Sequence, residues 1–190
     1  MIRAGWSSVR FQTEVTIARA RDDVFHRLAD ELARTIPRIC PLTISVTLDS
    51  DKPIGAGTTG KMTLQNLFIS YIVDFEVTRY EQHEQLSLEA RYRTRSAHSD
   101  YLFRDAGNGT TVTIVTEAPA IGPRWLQGWN HWILERHERR DGQRFKALLE
   151  GRGGDPTLAV FRRNRRRSVT VFVMIGATLA LAWFLIRTLP

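Results

Sequence analysis

The segment 70-SYIVDFEVTRYEQHEQLSLEARYR-93 decides the fold, because apolar and polar side chains alternate through both of its halves. Alternation with a period of two is typical of β-strands that bury one face. Three residues, 82–84, separate the halves, so the segment predicts an antiparallel hairpin with strands at 70–81 and 85–93. The residues expected on its buried face are Val73, Phe75, Val77, Leu86, Leu88 and Ala90.

The same alternation continues on both sides of this hairpin. Short turns such as KPIGAG (52–57) and DAGNG (105–109) separate the alternating runs. Successive strands joined by short turns predict an antiparallel sheet of six to seven strands, with Phe103, Val112 and Ile114 completing its buried face. The further strands are predicted over residues 9–18, 42–49, 58–65, 99–106 and 109–119.

Two helices are expected beside the sheet, so the fold class is α+β. Residues 20–36 carry apolar side chains at helical spacing, and Pro37 and Pro41 are expected to end that helix. A longer helix is predicted from Pro123 to about residue 150, lying on the sheet. The residues assigned to its inner face are Trp125, Trp129, Trp132, Ile133, Arg136, Arg140, Phe145, Leu148 and Leu149.

The formal charge of +7 is concentrated near the end of the chain. Residues 1–160 hold 21 Lys+Arg and 20 Asp+Glu, which leaves them close to neutral. A nucleic-acid-binding domain spreads positive charge over a face of the fold, so nucleic acid is not an expected partner. The remaining charges are Arg187 and a cluster formed by Arg162, Arg163, Arg165, Arg166 and Arg167.

The nineteen residues 168–186 contain no charged side chain. A helix of that length spans ~28 Å, close to the hydrocarbon thickness of a bilayer. The arginine cluster precedes this run, so the positive-inside rule predicts a single-pass C-terminal anchor over 168–187 with a cytoplasmic globular domain. The same arginines are expected to contact anionic headgroups. Residues 1–150 would then form one domain, and 151–167 a Gly/Arg-rich linker.

The order of the elements resembles the START / polyketide-cyclase-like superfamily, also called SRPBCC, over roughly residues 9–150. The resemblance lies in a first strand, then DDVFHRLAD (22–30), PIGAGTTG (53–60), the hairpin and YLFRDAGNGTTVTIVTE (101–117), followed by a closing helix. It implies a helix-grip fold, in which the sheet wraps around the C-terminal helix and leaves an apolar cavity. Members of this superfamily bind lipids, sterols, polyketides and quinones, and a minority are enzymes.

The candidate ligand-binding residues follow from that expected cavity. No polar residue falls in a catalytic motif with fixed spacing, and Cys40 is the sole cysteine, so no catalytic residue, metal or cofactor is assigned. The three tryptophans of the long helix are equally consistent with ordinary core packing. The residues predicted to line the cavity are Phe75, Val77, Leu88, Tyr92, Tyr101, Phe103, Ile114, Glu117, Trp125, Trp129 and Trp132.

Three functions compete at this level. The favoured one is membrane-tethered binding or transport of a hydrophobic small molecule, such as a lipid, an isoprenoid or quinone, or a polyketide-like compound. Tethering suits it, because a sparingly soluble ligand is most concentrated in the bilayer. The alternatives are a cyclase or dehydrase acting on a hydrophobic substrate, and a scaffold without a ligand. Whether the protein is an enzyme is open, although binding alone is preferred.

Overall fold

The computed structural model describes residues 8–66, 69–119 and 127–151. Seven antiparallel strands form one sheet, as the sequence predicts, and their order in it is β1-β7-β6-β5-β4-β3-β2. The arginine cluster and the predicted anchor lie outside the described residues. Of the helices that are described, none has the length and apolar character needed to cross a membrane. The strands are β1 (Ser8–Ile17), β2 (Thr43–Leu48), β3 (Thr59–Asn66), β4 (Ile69–Glu81), β5 (Gln85–Tyr92), β6 (Arg95–Asp105) and β7 (Thr110–Pro119).

The predicted inner face of the sheet is confirmed. Phe75 pairs with Ala90 across β4 and β5, and Phe103 pairs with Val112 across β6 and β7. Paired residues point to the same side, so these side chains form one surface. That surface meets the helices, and most of the predicted residues on it are buried in a single apolar core. We call it the inner face and the opposite side the outer face.

Strand β6 begins at Arg95, four residues before the predicted start. The hairpin between β5 and β6 turns on Arg93 and Thr94, and Arg93 adopts a positive φ of 55°. Residues 95–98 are polar or small, with Arg95 and Ser96 exposed and the next two residues half-buried. Their backbone nevertheless pairs with β5. The strand therefore extends beyond the residues that show an alternation of apolar and polar side chains.

The first helical region is split, unlike the single helix predicted from its apolar spacing. It consists of α1 (Arg21–Phe25), one π-helical turn (His26–Asp30) and α2 (Leu32–Ile39). Pro37 lies inside α2, so the prediction that it ends the helix is wrong. Ile36 and Ile39 are buried on either side of it and hold this turn against the core. Pro41 does end the helix, because the residue before a proline is driven into an extended conformation.

The long helix α3 (Gln127–Leu149) packs on β1 and α2. Its described inner face differs from the predicted one: Phe145 is buried as expected, but Trp132 is 52% exposed, and Arg136 and Arg140 are also exposed. The prediction continued the spacing of the tryptophans forward to Arg136 and Arg140, and the stripe it defines is rotated away from the one that contains Phe145. Gly142 is buried on the same side as Phe145 and faces Val15. A Cβ atom added at Gly142 would lie 3.7 Å from the Val15 side chain. Trp125 and the side chains of Trp129 and Ile133 lie outside the described part.

Candidate binding cavity

A cavity of about 150 Å³ lies between the inner face of the sheet, α2 and α3. Its wall is largely apolar and its polar groups come mainly from α3 and β6. A cavity of this volume with apolar walls accommodates one benzene-sized ring, as an engineered lysozyme cavity does. The lining residues are Leu28, Ile36, Ile39, Cys40, Thr43, Met62, Leu88, Ala90, Ala97, Ser99, Tyr101, Ile114, Glu138, Asp141 and Phe145.

Small side chains on β5 and β6 create the space. Ala90 pairs directly with Ala97, and Leu88 pairs with Ser99 two residues further along the two strands. Cross-strand partners share a face, so two alanines stand side by side on the inner face, with a serine next to them. Larger side chains at these positions would fill the volume. The cavity therefore exists because the side chains at these positions of the sheet are small.

One side of the cavity carries two carboxyl groups, which we call the acid pair: Glu138 and Asp141 on α3. Residues three apart on a helix share a face, so both reach the same space. Asp141 Oδ1 accepts a hydrogen bond of 2.6 Å from Arg144 Nη1. Glu138 Oε1 accepts one of 3.3 Å from the Thr116 hydroxyl. The hydroxyls of Thr116 and Ser99 lie 3.2 Å apart and extend this polar side onto the sheet.

Burial shifts the protonation of these groups. Desolvation raises the pKa of Asp141 to about 7, Arg144 opposes the shift, and the neighbouring charge of Glu138 adds to it. Desolvation likewise raises the pKa of Glu138, against the Thr116 hydrogen bond. Burial also raises the pKa of Cys40 to about 12 and that of Tyr101 beyond its usual range, and both therefore stay neutral. The pKa of Asp141 therefore lies near neutrality, and the pKa of Glu138 lies above its usual range.

The structure places the predicted site residues in three groups. Leu88, Tyr101 and Ile114 line the cavity. Phe75, Val77 and Phe103 are buried in the core next to it without forming its wall. Their role in ligand binding stays a prediction.

The remaining predicted side chains that are described lie away from the cavity wall. Tyr92 stands at the exposed end of the inner face, with its ring 5.0 Å from that of Tyr71. Glu117 belongs to the outer face, because its neighbour Thr116 points inward and successive strand residues alternate. Trp132 is exposed, with the Arg136 guanidinium 5.2 Å above its ring. None of these three contributes to the cavity lining.

The acid pair is absent from the sequence-based prediction. Its signal was present: Glu138 and Asp141 lie seven and four residues before Phe145, which places charged side chains on the apolar stripe of the helix. The mistaken rotation of the helix concealed this pattern. Within the described ranges, no cluster of three or more His, Cys, Asp or Glu side chains is arranged to hold a metal ion.

The architecture defines a class: an antiparallel sheet packed on a long C-terminal helix, with an apolar cavity between them, corresponds to the helix-grip fold. Residues 8–163 match the family model described as "Polyketide cyclase / dehydrase and lipid transport". The chain therefore belongs to this family. Among curated protein sequences, none matches the chain.

Solved structures share the fold at low sequence identity. Ara h 8.0201 is 12% identical with a TM-score of 0.61, over 76% of this chain and 99% of its own. The di-domain ARO/CYC StfQ from the steffimycin biosynthetic pathway is 14% identical with a TM-score of 0.60, over 76% of this chain and 52% of its own. KanY is 19% identical with a TM-score of 0.58, over 76% and 99%. At these identities the likeness establishes the fold alone.

Proposed function

We propose that the protein binds a hydrophobic small molecule in the cavity between the sheet, α2 and α3. The observation that carries this proposal is an apolar wall interrupted on one side by the acid pair and Tyr101. Binding pockets are typically apolar with a few polar groups that orient the ligand. The volume of about 150 Å³ suits one ring or a branched apolar group, with the rest of a larger ligand reaching outward.

The comparisons support the same class of ligand. The family description includes lipid transport, and StfQ is named as an aromatase/cyclase of a biosynthetic pathway. Lipids are largely apolar molecules. The cavity described here meets the same chemical requirement.

Filling the cavity tests this function. Toluene is the probe, titrated into the full-length protein in phosphatidylcholine nanodiscs while the methyl NMR signals of Met62 and Leu88 are followed. We expect saturable shifts in the original protein and none in Ala97→Phe, because the new ring occupies the space that Ala90 and Ala97 leave open. The matched control is Ala106→Phe, which changes the turn between β6 and β7 and should keep toluene binding. Absence of saturable shifts in the original protein would refute the proposal.

Membrane tethering is the second element of the proposed function. It is supported by the uncharged run 168–186 and by the arginine cluster before it. An anchor would hold the cavity beside a bilayer, where apolar ligands accumulate. The globular domain would face the cytoplasm.

Deletion of residues 161–190 tests the tether. We expect the truncated protein to move from the membrane fraction to the soluble fraction with its circular dichroism spectrum retained over the folded domain. A variant with all five clustered arginines replaced by glutamine should remain in the membrane fraction, because the apolar run is intact. Sedimentation of the truncated protein with membranes after a high-salt wash would contradict the anchor.

A dehydrase activity is the second candidate function. It is favoured by the acid pair, since a carboxyl group with a pKa of about 7 suits proton transfer at neutral pH. Protonated Asp141 would give its proton to a leaving hydroxyl, while Glu138 takes the proton from the adjacent carbon, and water departs. The test substrate is 4-hydroxy-4-phenylbutan-2-one, whose dehydration product absorbs in the near ultraviolet. Product formation that Asp141→Asn abolishes would support this activity, and absence of product would exclude it for this substrate.

A further inference from the structure

We infer that the ligand of this cavity is a ring-bearing amine, whose ring occupies the apolar part while its ammonium group pairs with Glu138 and Asp141. This inference rests on the proposed binding function and specifies the ligand class. The evidence for this ligand class is that the acid pair has more carboxyl groups than cationic partners. Two carboxyl groups face the cavity, and Arg144 is the one cation that bonds to either of them among the described residues.

Glu138 is the carboxyl with the weaker set of partners. The Thr116 hydroxyl is its one described hydrogen-bond donor, at 3.3 Å, which is long for a bond to a carboxylate. Asp141 has a shorter bond to Arg144, but the same Arg144 nitrogen also lies 3.5 Å from the carbonyl oxygen of Ile39. A desolvated carboxylate with too few donors gains more from a cationic partner than a solvated one does, because its desolvation has already occurred on folding.

The surrounding elements supply no second cation to the acid pair within the described chain. Strand β6 contributes the Tyr101 hydroxyl, and the residue after α2 contributes the Cys40 thiol, both neutral. Strand β7 contributes Thr116. Tyr101 lines the cavity, and its hydroxyl has no hydrogen-bond partner among the described residues, so one further polar group is available to a ligand.

An ammonium group fits these surroundings better than a hydroxyl or a purely apolar group. A hydroxyl would donate one hydrogen bond and leave the excess negative charge in place. An ammonium group donates three hydrogen bonds and carries the missing charge. Charge-assisted hydrogen bonds are also about twice as strong as neutral ones. The ring-sized apolar volume beside the carboxyl groups limits the adjoining part of the ligand to one ring.

The pairing carries a pH dependence. An ammonium ligand binds best when the carboxyl groups are ionised, and burial raises the pKa of both, that of Asp141 to about 7. Affinity for an amine should therefore fall as the pH drops from 8 to 5.5, because protons compete with the ligand for the acid pair. Affinity for an uncharged ring should not fall in this way. The groups that face the pair and set this behaviour are Arg144, Tyr101 and Cys40.

Three probes of similar shape test the inference: toluene, benzyl alcohol and benzylamine. Dissociation constants are measured for the full-length protein in phosphatidylcholine nanodiscs from the methyl NMR shifts of Met62 and Leu88, at pH 8 and pH 5.5. We expect benzylamine to bind about tenfold tighter than toluene at pH 8, the scale of one charge-assisted hydrogen bond. This preference should shrink at pH 5.5.

Glu138→Gln should remove most of the preference for benzylamine while toluene still binds. The matched control is Glu135→Gln, on the same helix, where the carboxylate bonds to Arg139 at 2.7 Å outside the cavity. That control should keep the preference. A thermal melt of each variant checks its folding, and Asp141→Asn provides a second substitution within the pair.

The outcomes separate this inference from the proposed function. Equal binding of toluene and benzylamine, or equal binding of benzyl alcohol and benzylamine, overturns the amine ligand and leaves the binding function standing. A preference that Glu138→Gln and Asp141→Asn both retain also overturns it, because the acid pair would not be its source. Failure of all three probes to bind refutes the proposed function.

Discussion

Two partly buried carboxyl clusters, on opposite faces of the sheet, differ in how their hydrogen bonds are made. On the outer face, Asp100 Oδ1 accepts bonds from the Ser87 hydroxyl at 2.6 Å and the Gln85 amide at 3.3 Å, and it lies 3.0 Å from His98 Nε2. Burial pushes the pKa of Asp100 up, but these bonds and the charge of His98 outweigh it and leave the pKa below its usual value. On the inner face, Glu138 and Asp141 have fewer donors, and their pKa values rise.

The difference separates a structural carboxylate from one available to a ligand. Asp100 has three partners within the fold, all at Oδ1, and it does not line the cavity. The acid pair borders the cavity, where Glu138 accepts one described hydrogen bond, from Thr116, and Asp141 accepts one from Arg144. Burial alone therefore does not mark a binding site. A partly buried carboxyl group indicates a binding site when it faces a cavity and the protein supplies few hydrogen-bond donors to it.

The largest expected loss of stability comes from truncating Phe145, the buried aromatic residue on the same helix as the acid pair. Phe145→Ala should lower the free energy of unfolding by about 3–5 kcal/mol, because a fully buried aromatic ring is lost from the core between α3 and the sheet. Urea unfolding followed by circular dichroism measures this. The Asp100 cluster on the outer face should keep its bonds. A loss below 1 kcal/mol would contradict the packing described here.

Removing the outer carboxylate should have the next largest effect. Asp100→Ala should cost about 1–3 kcal/mol of unfolding free energy, because it leaves the hydroxyl of Ser87, a residue 2% exposed, without its acceptor. The control is Asp105→Ala, an exposed carboxylate 3.5 Å from Arg21, which should cost well under 1 kcal/mol. Equal losses in these two variants would show that the Asp100 cluster contributes no more than a surface ion pair.

The two clusters should respond to pH in opposite directions. The folded-state pKa of Asp141, about 7, lies above its unfolded value, so the folded protein binds more protons between about pH 4 and 7. Its contribution to stability is present at low pH and is lost as the pH rises through 7. Asp100 has a lowered pKa, and its contribution is lost as the pH falls below the ordinary aspartate range.

Urea unfolding at pH 5, 6, 7 and 8 tests this sign. Asp141→Asn should flatten the decline between pH 5 and 7 by up to the order of 1 kcal/mol per pH unit. Asp100→Asn should leave that decline unchanged, since its titration lies at lower pH. An identical pH slope in the original protein and in Asp141→Asn would show that Asp141 titrates normally.

The smallest expected effect belongs to the opposite side of α3. Trp132→Ala should change the free energy of unfolding by about 0.5 kcal/mol or less, because the ring is half-exposed and stacks under Arg136. Set against Phe145→Ala, it measures which side of the helix faces the sheet. A loss of unfolding free energy close to that of Phe145→Ala would indicate that Trp132 faces the sheet, as the sequence predicted.

Much of the fold could be predicted because alternation in β-strands is a local property. The hairpin of residues 70–93 has a period of two that leaves one choice of buried face, and Phe75, Val77 and Leu88 are buried as that choice requires. The polar start of β6 could not be predicted in this way, because residues 95–98 lack an apolar–polar alternation although they pair with β5. Pro37 was misassigned because packing of the adjacent isoleucines outweighs its local preference.

The site was less predictable than the fold. Leu88, Tyr101 and Ile114 were expected on the cavity wall and lie there. Glu117 was expected inward, yet it lies one residue beyond the inward-facing Thr116, and an offset of one residue in a strand reverses the face. The acid pair was missed because the predicted inner face was extended from the tryptophans, whereas the rotation of α3 is set by its contacts with β1 and α2.

By itself the sequence determined the class of the fold, the order of its strands along the chain and the residues of its inner face, because these follow from side-chain periodicity. It also determined where the positive charge lies and predicted an anchor for the tail. The tertiary structure decided that Ala90 and Ala97 stand side by side and leave a ring-sized volume, and that Glu138 and Asp141 border it. A cavity and the pKa values of its carboxyl groups depend on distances between segments far apart in the chain, which only the packed molecule sets.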